Sequence, residues 1–133
     1  MEGLVTARSG WDVGRTVAAI RDEVQRRGIG VVALIDHAAA ARRAGLELPD
    51  TQVLIFGDPH AGTPLMRARP EIALDLPPRI MVRDDGQSGC LVTWSDPTWL
   101  ADRYDLPADD LAPLRAPSGI VTAALGAGGS VPA

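Results

Sequence analysis

Two pairs of a histidine and a carboxylate are the residues of this chain best suited to chemistry. Asp36 is followed directly by His37, and Asp58 precedes His60 by two positions. A carboxylate beside an imidazole can orient the ring as a general base, or the pair can bind a divalent metal. His37, Asp36 and His60 are therefore the candidate catalytic residues if the protein is an enzyme.

The same residues have a structural interpretation. Asp36 follows an apolar run that ends at Ile35, and aspartate is a favoured N-cap, so we expect it to begin a short helix over residues 37–44. Neighbours on an extended strand point to opposite faces, so Asp36 and His37 form a dyad only where the strand has ended. No His-Glu-x-x-His spacing is present. We therefore predict no metal site and no cofactor.

The loop from Gly57 to Thr63 predicts a different kind of site. Thr63 is a typical N-cap and is followed by Pro64, which is favoured at the first position of a helix. The free amides of such a helix start can bind an anion, so Asp58, Gly62 and Thr63 are candidate ligand-binding residues. A turn followed by a cap would explain the same residues without a ligand. The phosphate-loop pattern with its lysine is absent.

Size and charge exclude some functions. The 133 residues suit one domain with a single core. The net charge of −4, with adjacent basic residues only at Arg26-Arg27 and Arg42-Arg43, argues against nucleic acid as a partner. Cys90 is the single cysteine, which excludes an intramolecular disulfide. Without a signal-peptide pattern or an apolar run of about 20 residues, we expect a cytoplasmic protein and no membrane contact.

The candidate residues are positioned by alternating strands and helices. Val13, Val17, Ile20 and Val24 lie on one helical face, and Gly28 is typical of the position that ends such a helix. The sequence predicts strands over residues 3–8, 29–35, 52–56, 79–82 and 91–94, the last two as an antiparallel hairpin. It predicts further helices over residues 37–44, 64–69 and 71–75 and from Asp96-Pro97 onward.

This order predicts an α+β fold with two layers: a mostly antiparallel (mixed) sheet of about five strands, with helices on one face. If strands 29–35 and 52–56 are parallel, the two histidine pairs meet at one edge of the sheet, where they would suit a divalent metal. If the strands are antiparallel, the pairs lie at opposite ends of the sheet, where a dimer axis could reunite them. The apolar strand 29–35 predicts cover on both faces, or on one face plus a partner subunit. Residues 1–106 form the predicted domain, and residues 107–133 a helical turn and a flexible Gly/Ala-rich tail.

Several short motifs together resemble a known family. Asp36-His37, Phe56-Gly57, Gly62-Thr63-Pro64-Leu65-Met66 and Leu74-Asp75-Leu76-Pro77 are similar to the pattern of the bacterial and archaeal family called domain of unknown function 302, or DUF302. The similarity runs from about Trp11 to Tyr104. It implies a compact α+β domain of the TATA-binding-protein-like fold class, and a homodimer. It implies no established activity.

Two functions from different classes follow. The favoured one is a homodimeric, non-catalytic module. It binds either a small molecule, which could be an anion, or a protein partner. The alternative is an enzyme that uses His37 or His60 as general base or metal ligand. The favoured function rests on the apolar strand 29–35 and on the lack of a convincing catalytic set.

Overall fold

The computed structural model describes residues 1–107, 109, 111–126 and 129–130. Strands and helices alternate along most of the chain. Their bounds are β1 Leu4–Ser9, α1 Val13–Arg26, β2 Gly30–Asp36, α2 His37–Arg43, β3 Thr51–Gly57, α3 Pro59–Ala68, β4 Arg79–Arg83, β5 Cys90–Ser95, α4 Pro97–Arg103, α5 Ala116–Leu125 and β6 Gly129–Ser130. Short 3₁₀ helices span Pro70–Asp75 and Ala112–Arg115.

The strands form one open sheet in the order β2-β3-β4-β5-β1-β6. Each pair of neighbouring strands is antiparallel. Five strands of five to seven residues make up the sheet, and the two residues of β6 extend it beside β1. The α+β class and the antiparallel sheet of about five strands that the sequence predicts are confirmed.

One face of this sheet carries the main core. Leu54 lies opposite Ile80, and Ile80 lies opposite Trp94, so the three side chains project from the same face. They share a buried cluster with Ile20 of α1 and Ile120 of α5, and all five are at most 3% exposed. Helices α1 and α5 therefore form the layer that covers this face.

The prediction of a flexible tail is wrong for residues 116–125. These residues form α5, in which Ile120, Val121 and Leu125 are buried. Arg27 at the end of α1 donates a hydrogen bond to the Gly119 carbonyl over 3.1 Å and so connects the two helices. The apolar contacts are made by few side chains in a Gly/Ala-rich segment, which hides the helical pattern. The remainder of the predicted tail includes residues 108, 110, 127–128 and 131–133, which lie outside the described residues.

Helix α3 also begins earlier than the sequence predicts. Its N-cap is Asp58, whose Oδ1 accepts a hydrogen bond from the His60 amide over 3.0 Å, and Pro59 takes the first helical position. Thr63 is therefore an interior residue of the helix, and its prediction as N-cap is wrong. Pro64 lies inside the helix, where it removes one amide donor without ending it.

Strand β2 lies at the edge of the sheet and is poorly covered. Val32 is 61% exposed, and Leu34 and Ile35 are each 39% exposed. The expectation that this strand is covered on both faces is therefore wrong within a single chain. Between Gly30 and Asp36 the strand carries no charged residue and no proline that would discourage pairing with another strand.

Candidate ligand-binding site

A cavity of about 470 Å³ lies next to the end of β3. Five parts of the chain line it. Among the described residues these are Ile29 and Val32 at the start of β2, the end of β3 with Phe56, one face of α3, the segment that follows the first 3₁₀ helix, and Pro113 with Ala116, the first residue of α5. The cavity is therefore built from segments that are distant in sequence, and it depends on the packing of the complete domain.

Helix α3 contributes one side of the cavity through residues that share a helical face. Ala61, Gly62, Leu65 and Met66 are spaced so that they lie on adjacent turns. A Cβ placed on Gly62 would lie 3.7 Å from Met66 Cε and 3.8 Å from Leu76 Cδ1, which is ordinary van der Waals contact. The absence of a side chain at Gly62 thus keeps the space between α3 and Leu76 open.

The segment Leu76–Pro78 provides another side. The Phe56 amide donates a hydrogen bond to the Pro78 carbonyl over 3.2 Å, which holds this segment beside the end of β3. A Cβ on Gly57 would approach Pro77 Cβ to 3.1 Å, closer than a side chain fits without displacement. A side chain at position 57 would therefore push against Pro77, and Gly57 lets the Leu76–Pro78 segment lie close to the end of β3.

A second buried cluster supports this wall from behind. Leu65 of α3, Ile72 of the 3₁₀ helix and Leu100 of α4 pack together and are at most 6% exposed. The Tyr104 hydroxyl donates a hydrogen bond to Asp75, and burial followed by this bond raises the pKa of Tyr104. The apolar cluster and the Tyr104–Asp75 hydrogen bond together hold the 3₁₀ helix in place, and with it the Leu76–Pro78 segment that follows.

Asp58 is the one ionisable residue among the described residues that line the cavity. Its Oδ1 accepts hydrogen bonds from the His60 amide over 3.0 Å and from the His60 ring Nδ1 over 3.1 Å. The hydrogen bond from the His60 amide has the larger effect and the one from the His60 ring the smaller, and both lower the pKa of Asp58 below its ordinary value of 3.8. The carboxylate is 47% exposed and is ionised at neutral pH.

The cavity brings together Asp58, Gly62 and Thr63, which the sequence suggests as ligand-binding residues. The sequence predicts a helix start at Thr63 whose free amides bind an anion. In the structure the helix begins at Pro59, and Asp58 accepts a hydrogen bond from the His60 amide, one of the amides at that helix start. Sequence reasoning did not find the apolar lining. Phe56 and Leu76 look like ordinary core positions, and only the neighbouring glycines and prolines signal a close packing of loops.

The candidate catalytic residues do not form a common site. Asp36 accepts a hydrogen bond from the Ala39 amide over 2.9 Å as the N-cap of α2, and His37 is exposed in the first turn. Asp36 pairs with Gln52 and Gly30 with Gly57, so the two histidine pairs lie at opposite ends of β2 and β3, roughly 20 Å apart.

His60 lies beside the cavity without lining it, and its side chain is 96% exposed. Across the part of the chain that the structure describes, no three His, Cys, Asp or Glu residues are grouped so that they could hold a metal ion. The same described part contains no helix with the length and apolar character needed to cross a bilayer.

Comparisons with known proteins identify relatives of two kinds. The chain is 41% identical over 104 residues to proteins named fluoride-specific ion channel FluC 1 in Brucella suis biovar 1 (strain 1330) and in Brucella abortus biovar 1 (strain 9-941). The match covers 78% of this chain and 41% or 38% of those proteins. The chain thus spans about two-fifths of the length of these curated relatives.

The crystal structure of an uncharacterised conserved DUF302 protein from Bacillus stearothermophilus has the same fold. It aligns with a TM-score of 0.77 at 13% identity and covers 94% of this chain and 97% of that one. The family model described as domain of unknown function DUF302 matches residues 5–116, from the second residue of β1 to the first residue of α5. The resemblance seen in the motifs is thereby confirmed, and the chain belongs to the DUF302 family.

Proposed function

We propose that this domain is a non-catalytic binding module that takes a small, mainly apolar molecule into the cavity between α3, β3 and the Leu76–Pro78 segment. The observation that carries the proposal is the cavity itself. Its volume of about 470 Å³ lies in the range of small-molecule sites, and its lining is largely aliphatic, aromatic and proline side chains.

The surroundings of the cavity favour binding without large rearrangement. The wall residues are held by the Phe56–Pro78 backbone hydrogen bond and by the buried cluster around Ile72. A preformed apolar site stabilises a ligand by removing apolar surface from water, and it orders few side chains on binding.

Filling the cavity tests this function. The variant Gly62→Leu places a branched side chain into the space between Met66 and Leu76 while keeping α3 helical. Binding of the neutral dye N-phenylnaphthylamine, followed by its fluorescence, is expected to weaken about tenfold or more, because the added side chain occupies ligand volume. Circular dichroism and thermal melting confirm that the variant is folded.

The matched control is Gly14→Leu, which makes the same exchange on the exposed first turn of α1. A Cβ on Gly14 meets only the Asp12 carboxylate, at 3.8 Å, and no wall of the cavity. We expect its dye affinity to equal that of the unmodified protein. Equal dye binding by Gly62→Leu and Gly14→Leu would contradict the cavity as the binding site.

The module is proposed to work as a homodimer. The supporting feature is β2, an apolar edge strand with Val32, Leu34 and Ile35 exposed, together with Leu46 and Leu48 in the loop that leads into β3. Edge strands of this kind tend to pair with another strand, and a second copy presents an identical strand in antiparallel orientation. The cytoplasmic location stays a prediction.

One observation favours the enzyme as a second candidate. The Asp58 carboxylate holds the His60 ring in one orientation, with Nδ1 of the ring 3.1 Å from Oδ1 of Asp58, as a carboxylate does for a histidine that acts as general base. Hydrolysis of p-nitrophenyl butyrate would then fall in His60→Ala and not in His37→Ala, which removes the other histidine, also at an exposed position. Equal rates in the two variants contradict the enzyme alternative.

A further inference from the structure

The charge of the cavity lining indicates which ligands it suits. Among the described residues that line it there is no arginine and no histidine, and Asp58 supplies the one formal charge. An anionic ligand would place its charge near this carboxylate without a cation to compensate it. The anionic ligand expected from the loop sequence is therefore disfavoured by the lining.

The geometry of Asp58 leaves one oxygen for a ligand. Both hydrogen bonds that the described residues make to this carboxylate go to Oδ1, from the amide and the ring of His60. These bonds fix the orientation of the side chain at the N-cap of α3, and they keep it ionised. The other oxygen, Oδ2, accepts no hydrogen bond from the described residues, and Asp58 both lines the cavity and keeps 47% of its side chain exposed.

We propose that the cavity selects molecules with an apolar body and a protonated amine, with the body among Phe56, Leu65 and Leu76 and the amine at Asp58 Oδ2. The inference rests on the proposed function and names the ligand class for the same site. The partial exposure of Asp58 suits an ammonium group, because the amine keeps part of its hydration while the carbon chain is buried.

Three ligands of equal chain length separate the contributions. Decylammonium, decanol and decanoate are each used to displace N-phenylnaphthylamine from the full chain, below the concentrations at which they form micelles and at physiological ionic strength. Because Asp58 is half exposed, we expect decylammonium to bind about fivefold more tightly than decanol, and decanoate to bind more weakly than decanol.

Asp58→Asn removes the charge while asparagine retains the ability to cap α3. In this variant the advantage of decylammonium over decanol is expected to disappear, measured as the ratio of the two affinities in the same variant. Asp22→Asn, at an exposed position on α1, changes the net charge equally and controls for non-specific attraction of a cation to an acidic protein. It is expected to keep the preference of the unmodified protein.

Two results would overturn this inference alone: decylammonium binding no better than decanol, or its advantage surviving in Asp58→Asn. In both cases decanol would still displace the dye from the unmodified protein and lose affinity in Gly62→Leu, so the cavity would remain a binding site. Failure of decanol and decylammonium alike to displace the dye would instead contradict the proposed function, and the amine preference with it.

Discussion

At the scale of single residues, the site depends on glycines and carboxylates whose roles come from their neighbours. Gly57 lets Pro77 approach closely, since a Cβ there would lie 3.1 Å from Pro77 Cβ, and Gly62 keeps the cavity open beside Met66. The sequence predicts Asp58, Gly62 and Thr63 as a group, since the free amides of a helix that begins at Thr63 can bind an anion. It could not place the helix start, because Asp58-Pro59 and Thr63-Pro64 are equally good cap sequences.

Glu23 offers a pH-dependent test at this scale. Its side chain is 8% exposed and accepts hydrogen bonds from Arg26 Nε over 2.8 Å and from Arg27 Nε over 3.2 Å. The bond from Arg26, followed by that from Arg27, lowers the pKa of Glu23 from 4.5 to about 2. Because the folded pKa is depressed, the stability from this carboxylate is present above pH 4.5 and is lost as the pH falls toward 2.

Glu23→Gln should therefore melt at a lower temperature than the unmodified protein at pH 7, and the difference should shrink progressively below pH 4.5. The control Glu47→Gln changes an exposed loop carboxylate and should leave the melting temperature almost unchanged, both at pH 7 and below pH 4.5. A melting difference for Glu23→Gln that stayed constant down to pH 2 would show that the ion pair is not its cause.

At the scale of elements, strands and amphipathic helices were the predictable part. Helix α1 was predicted because four apolar residues repeat at helical spacing, and the β4–β5 hairpin because a Gly-rich turn separates two apolar runs. Helix α5 was missed because small residues such as Gly119 occupy its less buried positions and dilute the apolar period. Pro117 near its start and Gly126 after its end are the residues of this segment that are typical of helix boundaries.

The contribution of α5 can be measured directly. Ile120 is fully buried against the sheet, so Ile120→Ala should lower the free energy of unfolding by about 2–5 kcal/mol in urea denaturation. Thr122→Ala, at an exposed position of the same helix, should cost well under half as much. If the two variants were equally stable, residues 116–125 would not pack into the core as the structure has them.

At the scale of the whole molecule, the uncovered β2 edge predicts the oligomeric state. Leu34→Lys introduces a charge at this edge, where it opposes strand pairing between two copies. In light scattering after gel filtration, the unmodified protein should have twice the chain mass of 14.0 kDa, and Leu34→Lys the mass of one chain. The control Leu74→Lys alters a leucine that is 74% exposed on the first 3₁₀ helix, outside β2, and it should stay dimeric.

A mass of one chain for the unmodified protein, or a dimer that persists in Leu34→Lys, would contradict pairing through β2. The sequence alone left this question open, since an apolar strand such as residues 29–35 is compatible with a buried central strand as well as with an edge. The order of strands in the sheet decides between them, and it depends on contacts that are distant along the chain.

The central claim is that the cavity beside α3 is the place where this domain binds its ligand. The most direct measurement is a titration of the ¹⁵N-labelled protein with decanol, followed through the backbone amide signals. We predict saturable shifts at Gly57, Gly62 and Thr63, which disappear in Gly62→Leu, and unchanged signals in α2. Saturable shifts confined to residues outside the cavity lining, or shifts that persist in Gly62→Leu, would contradict the claim.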